Sequence, residues 1–122
     1  MPRYVVLRHE LPPQQARSSH WDLMLERDGV LRTWALENLP TREASQPADA
    51  LADHRLAYLQ YEGPVSGDRG TVSRWDEGEY ETIGESPTRI CVQIRGIRWQ
   101  GKLSLERSDA DSQRWSCCFF AD

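Results

Sequence analysis

Long hydrophobic runs and an excess of positive charge are both missing from this 122-residue sequence. The formal net charge is -4, which argues against strong non-specific binding to nucleic acid, because such binding depends on neutralising phosphates with Lys and Arg. A local basic site is still compatible with that balance. No apolar segment approaches the length of a membrane span, and the first residues show no signal-peptide pattern. The sequence therefore predicts a cytoplasmic protein with no membrane attachment.

Cysteine is scarce as well. The three cysteines are Cys91, Cys117 and Cys118, and an odd number without a disulfide framework is typical of a reducing compartment. Cys117 and Cys118 are adjacent, so their side chains would point to opposite faces of a strand. They are poorly placed to share a disulfide or a metal. We interpret all three as packing residues.

Several catalytic signatures are also lacking. The sequence contains no glycine-rich phosphate loop, no nucleophile elbow and no HExxH motif, which removes the enzyme classes that those motifs mark. The chain is long enough for one domain with one core, and we assign residues 1–122 to that single domain.

The most informative stretch is a predicted β-hairpin. Residues 20–27 alternate between a largely apolar face and a face that carries His20, Asp22, Met24 and Glu26, as expected of a half-buried strand. Asp28-Gly29 follows, and both residue types tolerate positive φ, which favours a two-residue turn. Residues 30–36 would form the return strand. This register pairs Glu26 with Leu31, Met24 with Thr33 and Asp22 with Ala35.

The two faces of this hairpin differ in character. His20 and Asp22 share a face with the small residues Thr33 and Ala35, which leaves room above them. A histidine and an aspartate on such a face can share one cation or one phosphate. The other face gathers large apolar side chains that predict a core, namely Trp21, Leu23, Leu25, Trp34 and Leu36.

The remaining segments predict a mainly β protein. About eight short strands are separated by glycine-rich turns, which indicates a small antiparallel β-barrel, closed or partly open. Residues 71–75 and 79–83 are expected to be two strands joined by a turn at Asp76-Glu77-Gly78. One short flanking helix is expected at residues 47–52, because Pro47 suits a first helical turn and alanine favours helix.

Three histidines lie at the edges of extended segments: His9, His20 and His54. Asp22 lies two residues after His20, and Tyr58 lies four residues after His54. Imidazole nitrogen and carboxylate oxygen are ligands of Mn, Fe and Zn. The spacing by itself is a weak signal, and it favours surface histidines with ordinary hydrogen bonds over a metal site.

The basic and aromatic residues can likewise be interpreted either as contacts to nucleic acid or as ordinary surface and core residues. Arg3, Arg8 and Arg17 could contact phosphates near His9, although solvated strand edges are the favoured interpretation. Tryptophans can serve as platforms for stacking bases, but most of them here alternate with apolar neighbours and favour core packing. The five are Trp21, Trp34, Trp75, Trp99 and Trp115.

Taken together, the motifs resemble one known family, the 3'-phosphoesterase domain of bacterial DNA ligase D. That family reads approximately KH, then HYDFRLELDGVLKSWAVP, then EDHPLxY. The corresponding segments here are Arg8-His9, residues 20–36 and residues 53–58. Further matches are Tyr61-Glu62-Gly63, Val72 with residues 75–78, and residues 94–96 with 102–105. The resemblance therefore runs from Tyr4 to Phe120.

This resemblance implies a manganese-dependent enzyme, with other divalent transition metals as substitutes. Its substrate would be the DNA 3' end of a primer-template, from which a terminal ribonucleoside and then the 3'-phosphate are removed. By position, His9, His20 and Asp22 would hold the metal, and Glu26 would support them or serve a structural role. His54 would act on the phosphate or its leaving group, supported by Tyr58.

One departure from the family concerns the phosphate contacts. The family has an arginine two residues after the aspartate, where this sequence has Met24. An arginine there can bind phosphate oxygens through two hydrogen bonds, so a substitute is expected among Arg8, Arg42, Arg55 and Arg69. The family's polymerase and ligase domains have no counterpart in this sequence, so a separately encoded repair ligase or polymerase is an expected partner.

The triad His9, His20 and Asp22 is present and the family's arginine is replaced by Met24, which leaves three functions open. The first is a phosphoesterase acting on DNA 3' ends. The second is a metal-binding or DNA-end-binding module with little catalysis. The third is a role outside nucleic acids, such as hydrolysis of a small phosphorylated substrate.

Overall fold

A computed structural model describes residues 1–15, 17–41 and 44–122. Within these ranges no helix is long and apolar enough to cross a membrane. The only regular helical element they contain is a 3₁₀ turn at Leu56–Leu59. The strands are β1 (Arg3–Glu10), β2 (His20–Arg27), β3 (Val30–Leu36), β4 (Gln46–His54), β5 (Gly63–Pro64), β6 (Thr71–Ser86), β7 (Arg89–Gly96), β8 (Gln100–Arg107) and β9 (Arg114–Ala121).

These strands form one antiparallel sheet in the order β1-β2-β3-β4-β9-β8-β7-β6-β5. Because β1 also pairs with β6, eight strands close into a ring, and the two-residue β5 adds to the outer edge of β6. The mainly β, antiparallel class that the sequence predicts is confirmed.

The β2–β3 hairpin follows the predicted register. Asp28 and Gly29 have φ values of 53° and 83°, as a two-residue turn of this kind requires. Glu26 pairs with Leu31 and Met24 with Thr33. Local signals suffice here, because a tight turn fixes the register of the strands it joins.

The helix predicted at residues 47–52 is wrong, because this segment lies within β4. Ala50 pairs with Trp34 of β3, and Ala48 pairs with Trp115 of β9. The segment therefore joins the two halves of the ring, and Ala48 is fully buried. These long-range pairings outweigh the helix propensity of alanine.

The turn predicted at residues 76–78 is also wrong, since β6 runs from residue 71 to residue 86, with irregularities only at Trp75 and Ile83. Asp76 is a buried acceptor. Its Oδ2 accepts a hydrogen bond of 2.5 Å from the Tyr4 hydroxyl, and its carboxylate also accepts from the backbone N–H groups of Arg98 and Trp99. Burial, together with the neighbouring carboxylate, raises the pKa of Tyr4. The aspartate thus fixes the β7–β8 turn.

The hydrophobic residues divide into two clusters. The larger draws side chains from all eight strands of the ring and fills its interior, including Tyr4, Leu23, Trp34, Ile94 and Leu103. The smaller lies on the outer face of β1, β2, β3 and β6, beneath the 3₁₀ turn. Its members are Val5, Leu7, Met24, Leu31, Leu59 and Val72.

Cysteines and tryptophans largely take the packing roles expected of them. All three cysteines are free thiols, and Cys117 is buried. Trp34, Trp99 and Trp115 are buried as well. Trp21 and Trp75 are only partly buried against the ring interior.

Candidate functional site

Adjacent strand ends bring His9, His20 and Asp22 together on the outer face of the ring. His9 at the end of β1 pairs with His20 at the start of β2, and their rings lie 4.9 Å apart. Asp22 follows on the same face of β2. Its two carboxylate oxygens lie 3.2 Å from His9 Nδ1 and 3.0 Å from His20 Nε2. One ligand atom from each residue falls within 4.8 Å of the others.

Backbone carbonyls fix the orientation of both imidazoles. His9 Nε2 donates to the carbonyl oxygen of Arg69 at 2.8 Å, and His20 Nδ1 donates to that of Ser18 at 2.8 Å. A carbonyl only accepts, so these nitrogens carry the protons. In a neutral imidazole the other nitrogen then has a lone pair, and in both rings that nitrogen faces Asp22.

Two hydrogen-bond acceptors, one on His20 and one on Asp22, consequently face each other at a buried position. His20 Nε2 and Asp22 Oδ1 are 3.0 Å apart, yet among the described residues neither has a hydrogen-bond partner. Their residues are only 4% and 2% exposed. Buried acceptors without partners are costly, and either protonation of the imidazole or a cation between the two atoms removes the cost. Two imidazole nitrogens and a carboxylate oxygen are a donor set that suits a divalent transition metal.

The charges at the cluster follow from the same contacts. The hydrogen bond to Asp22 raises the pKa of His9, although burial opposes it. Burial raises the pKa of Asp22, but the two imidazoles lower it by more, and the net pKa lies below its usual range. Asp22 is therefore a charged carboxylate at neutral pH.

A cavity of about 340 Å³ opens beside the cluster. His9 and Asp22 form part of its wall, whereas His20 is not among the residues that line it. The other lining side chains come from β2, the end of β4, the 3₁₀ turn and the segment from Val65 to Val72; they include Met24, His54, Arg55, Tyr58 and Arg69. The cavity can admit a phosphate group next to His9 and Asp22, the two candidate ligands in its wall.

His54 and Tyr58 lie together on the cavity wall. His54 Nδ1 donates to the carbonyl oxygen of Ala52 at 2.9 Å, which leaves Nε2 as the nitrogen available to a bound molecule. The 3₁₀ turn brings Tyr58 back against it, with ring centroids 5.5 Å apart. Tyr61 packs edge-on against Tyr58, with ring centroids 5.9 Å apart, and so supports the His54–Tyr58 pair.

The arginines expected to bind phosphate have different locations. Arg55 and Arg69 line the cavity. Arg69 Nε and Nη2 donate to the carbonyl and hydroxyl oxygens of Ser66, at 2.6 and 3.1 Å. Arg8 does not line the cavity and instead lies over the ring of Trp21 at 5.0 Å. Arg42 lies outside the described residues.

Met24 and Glu26 occupy β2 beyond Asp22. Met24 is 1% exposed and packs in the smaller hydrophobic cluster, with one edge at the cavity. Glu26 lies at the far end of the strand, where its carboxylate accepts from the backbone N–H of Arg3 at 2.9 Å. That contact fits the structural alternative expected for Glu26 rather than a supporting position behind the ligands.

Sequence reasoning missed the role of the segment between β5 and β6. Val65 N–H donates to the carbonyl oxygen of Gly70 at 2.8 Å, so the segment is a closed turn. Gly70 has φ +82°, and a Cβ there would lie 1.8 Å from the carbonyl oxygen of Glu10. The turn thereby sets the Arg69 carbonyl against His9. Its glycines indicate a turn, but a backbone acceptor has no signature in side-chain identities.

Comparisons with known proteins agree on one family. The DNA Ligase D 3'-phosphoesterase domain model matches residues 13–107, a range that includes His20, Asp22 and His54 and begins after His9. The multifunctional non-homologous end joining DNA repair protein LigD of Mycobacterium tuberculosis (strain H37Rv) is 38% identical over 109 residues, or 82% of this chain and 14% of that protein.

Two further relatives carry the name multifunctional non-homologous end joining protein LigD. The one from Mycolicibacterium smegmatis is 39% identical, over 84% of this chain and 15% of its own length. The one from Pseudomonas aeruginosa is 31% identical, over 88% of this chain and 13% of its own length. The chain thus spans about one seventh of the relatives that it matches.

Proposed function

The chain belongs to the DNA ligase D 3'-phosphoesterase domain family, and on that premise we propose that it is a metal-dependent phosphoesterase acting on DNA 3' ends in end repair. It would remove a 3'-phosphate or a terminal 3'-ribonucleotide. The observation that carries this proposal is the buried contact of His20 Nε2 with Asp22 Oδ1, two atoms 3.0 Å apart that lack hydrogen-bond partners among the described residues.

The proposed ligands are His9, His20 and Asp22, and the proposed ion is Mn²⁺. Such an ion polarises a phosphoryl oxygen and makes bound water more acidic. Backbone carbonyls orient both imidazoles so that the nitrogen with the lone pair faces Asp22. This orientation suits both histidines as metal ligands. Fixing the outer nitrogen of a ligating histidine in this way is a general feature of metal sites.

His54 is proposed to move the proton. Its Nδ1–H is engaged by the Ala52 carbonyl, so Nε2 is the atom that can donate to the departing oxygen of a substrate. Histidine suits this task because imidazole changes its charge near neutral pH. Tyr58 packs against the ring and is proposed to keep Nε2 directed into the cavity.

Arg55 and Arg69 are proposed to bind the phosphate oxygens in place of the family arginine. Both line the cavity, and in the part of the chain that is described neither forms an ion pair with a carboxylate. Arginines placed in this way stabilise the charge that develops on a transferring phosphoryl group.

The proposed substrate is a DNA primer-template, and the proposed compartment is the cytoplasm. The chain spans only a small part of its multifunctional relatives. A repair ligase or polymerase, which would join or resynthesise the processed end, is the proposed partner.

A second candidate function is favoured by Met24. Its side chain is 1% exposed and packed among apolar residues, so this position offers no donor to a phosphate. If Arg55 and Arg69 do not replace that donor, the site would bind metal and DNA ends with little catalysis.

A turnover assay separates these functions. Purified protein is incubated with Mn²⁺ and a primer-template that ends in a 3'-phosphate or in one 3'-ribonucleotide, and p-nitrophenyl phosphate serves as a small substrate. The proposal predicts Mn²⁺-dependent processing of the DNA ends that is lost in His54→Ala. Metal binding without processing of either DNA end would favour the binding module. Hydrolysis of the small substrate alone would favour a role outside DNA repair.

A further inference from the structure

Two of the five tryptophans are not enclosed by the core. Trp21 and Trp75 are partly buried, and their rings meet edge to face at 5.7 Å. Trp75 rests on buried Trp99 at 5.4 Å, and Trp99 stacks on Phe119 at 5.0 Å. The two partly exposed rings therefore continue an aromatic stack that begins in the core.

An arginine lies over each of these rings. The guanidinium of Arg8 is 5.0 Å from the centre of the Trp21 ring, and that of Arg98 is 5.1 Å from the centre of the Trp75 ring. Within the described ranges, neither guanidinium pairs with a carboxylate. Six of the thirteen described arginines do so, namely Arg3, Arg27, Arg32, Arg74, Arg89 and Arg95. In a chain with a net charge of -4, this is a local concentration of positive charge.

This row begins next to the candidate metal ligands. Arg8 pairs with Trp21 in the β1–β2 ladder, one step before His9 pairs with His20. Because successive residues of a strand point to opposite faces, the row starts on the other side of the strand ends that hold the ligands. The row continues to Trp75, which the β6 bulge leaves without a partner in β1. It ends at Arg98, whose backbone N–H donates to Asp76 at 2.8 Å.

We propose that the row Arg8–Trp21–Trp75–Arg98 binds the unpaired nucleotides of a frayed or overhanging DNA 3' end, on the 5' side of the terminus that occupies the cavity. The choice of DNA as occupant rests on the proposed function. Partly exposed indole rings and guanidinium planes are the surfaces on which unpaired bases stack, and the cations attract the backbone phosphates. The cavity would then receive the terminal phosphate, while the row holds the preceding nucleotides.

Stacking of this kind has two consequences for selectivity. Every base has a flat face, so binding should depend little on sequence. Bases in a duplex are already stacked on one another, so a frayed or overhanging 3' end should bind better than a blunt one.

Binding is measured by fluorescence anisotropy with a labelled 12-nucleotide oligo(dT) and with a labelled blunt duplex, in EDTA so that metal plays no part. The proposal predicts tighter binding of the single strand. The double variant Arg8→Gln/Arg98→Gln should weaken it by about tenfold and reduce the slope of log K against log salt by about 0.7 per arginine that contacts a phosphate. Arg89→Gln/Arg114→Gln, two exposed positions outside the row, is the matched control.

The outcomes are separable from those of the proposed function. Wild-type protein that binds the duplex as well as the single strand, or a double variant with unchanged affinity and salt slope, overturns the row even if the protein processes DNA ends. Loss of oligonucleotide binding confined to the row variants supports it even if no turnover is found. Trp21→Phe, which keeps an aromatic ring, should retain more affinity than Trp21→Leu when thermal melting shows that both are folded; equal affinities would count against stacking.

Discussion

The carbonyl oxygen of Arg69 accepts a hydrogen bond of 2.8 Å from Nε2 of His9. This one contact joins the turn between β5 and β6 to the candidate metal ligands on β1 and β2. It directs the other nitrogen of His9 toward Asp22, and it places the Arg69 side chain at the cavity. The geometry of a turn that is distant in sequence therefore positions both a candidate metal ligand and a proposed phosphate contact.

Gly70→Ala tests that coupling. A Cβ at this position would meet the Glu10 carbonyl oxygen at 1.8 Å, and φ is +82°, so the turn must shift. We expect a lower melting temperature together with weaker Mn²⁺ binding. Gly29→Ala is the matched control, since Gly29 has φ +83° but open space around its Cβ position. It should cost only the ~1–2 kcal/mol of a left-handed residue and leave Mn²⁺ affinity unchanged, whereas equal effects of the two variants on Mn²⁺ binding would contradict the coupling.

Arg69→Gln tests the proposed phosphate contact. Loss of one charge-stabilising donor can lower the rate by roughly 100-fold or more, and we expect kcat on a 3'-phosphate end to fall by that order. Arg114→Gln, at an exposed site on β9, should leave kcat unchanged. Full activity of Arg69→Gln would assign the contact to Arg55.

Met24→Arg introduces at the cavity the arginine that the resemblance to the family predicts at this position. Met24 is buried in the smaller hydrophobic cluster, so the variant is expected to be less stable than wild type. In the Arg69→Gln background it should nevertheless recover part of the lost 3'-phosphatase activity, because a guanidinium at residue 24 can reach the same cavity. A folded double variant without any recovery would show that the two positions do not serve the same phosphate.

The stability of the metal-free protein should depend on pH in a defined direction. The pKa of His9 is raised by its hydrogen bond to Asp22, so its contribution is complete below about pH 6.5 and is lost as pH rises through the folded pKa. The pKa of Asp22 is lowered, so its contribution is present above about pH 3.9 and is lost as pH falls through the folded pKa. By linkage, stability in EDTA should be greatest between these limits.

Saturating Mn²⁺ should reverse the loss of stability that the metal-free protein shows as pH rises through the folded pKa of His9. A metal requires unprotonated imidazoles, so the melting temperature gained on adding Mn²⁺ should increase from pH 5.5 to pH 7.5. Calorimetric melting at each pH, with EDTA or with Mn²⁺, measures both profiles. A gain that does not change over this range would place the bound ion away from the histidines.

Some features of the fold and of the candidate site could be predicted from the sequence. The β2–β3 hairpin was predictable because Asp28-Gly29 specifies its own turn and thereby the register around Asp22. Position in the family motifs also pointed to His54 and Tyr58, which the structure brings to one cavity wall. These features depend on neighbours in the sequence or on side chains of distinctive chemistry.

The features that were mispredicted or missed depend on distant partners. Ala48 and Ala50 favour a helix on their own, and only pairing with β3 and β9 makes them part of a strand. Asp76 and Gly78 resemble turn residues, yet Asp76 is buried against Tyr4. The Arg69 carbonyl is a backbone atom that every residue possesses, so its contact with His9 follows only from the closed ring.

We infer that the buried contact between His20 and Asp22 is part of a cation site. Isothermal titration calorimetry with Mn²⁺ tests it most directly, on wild type, His20→Ala and His54→Ala, each shown to be folded by thermal melting. We expect one bound ion in wild type and in His54→Ala, and none in His20→Ala at the same concentrations. Equal binding by His20→Ala, or no binding by the wild-type protein, would contradict it.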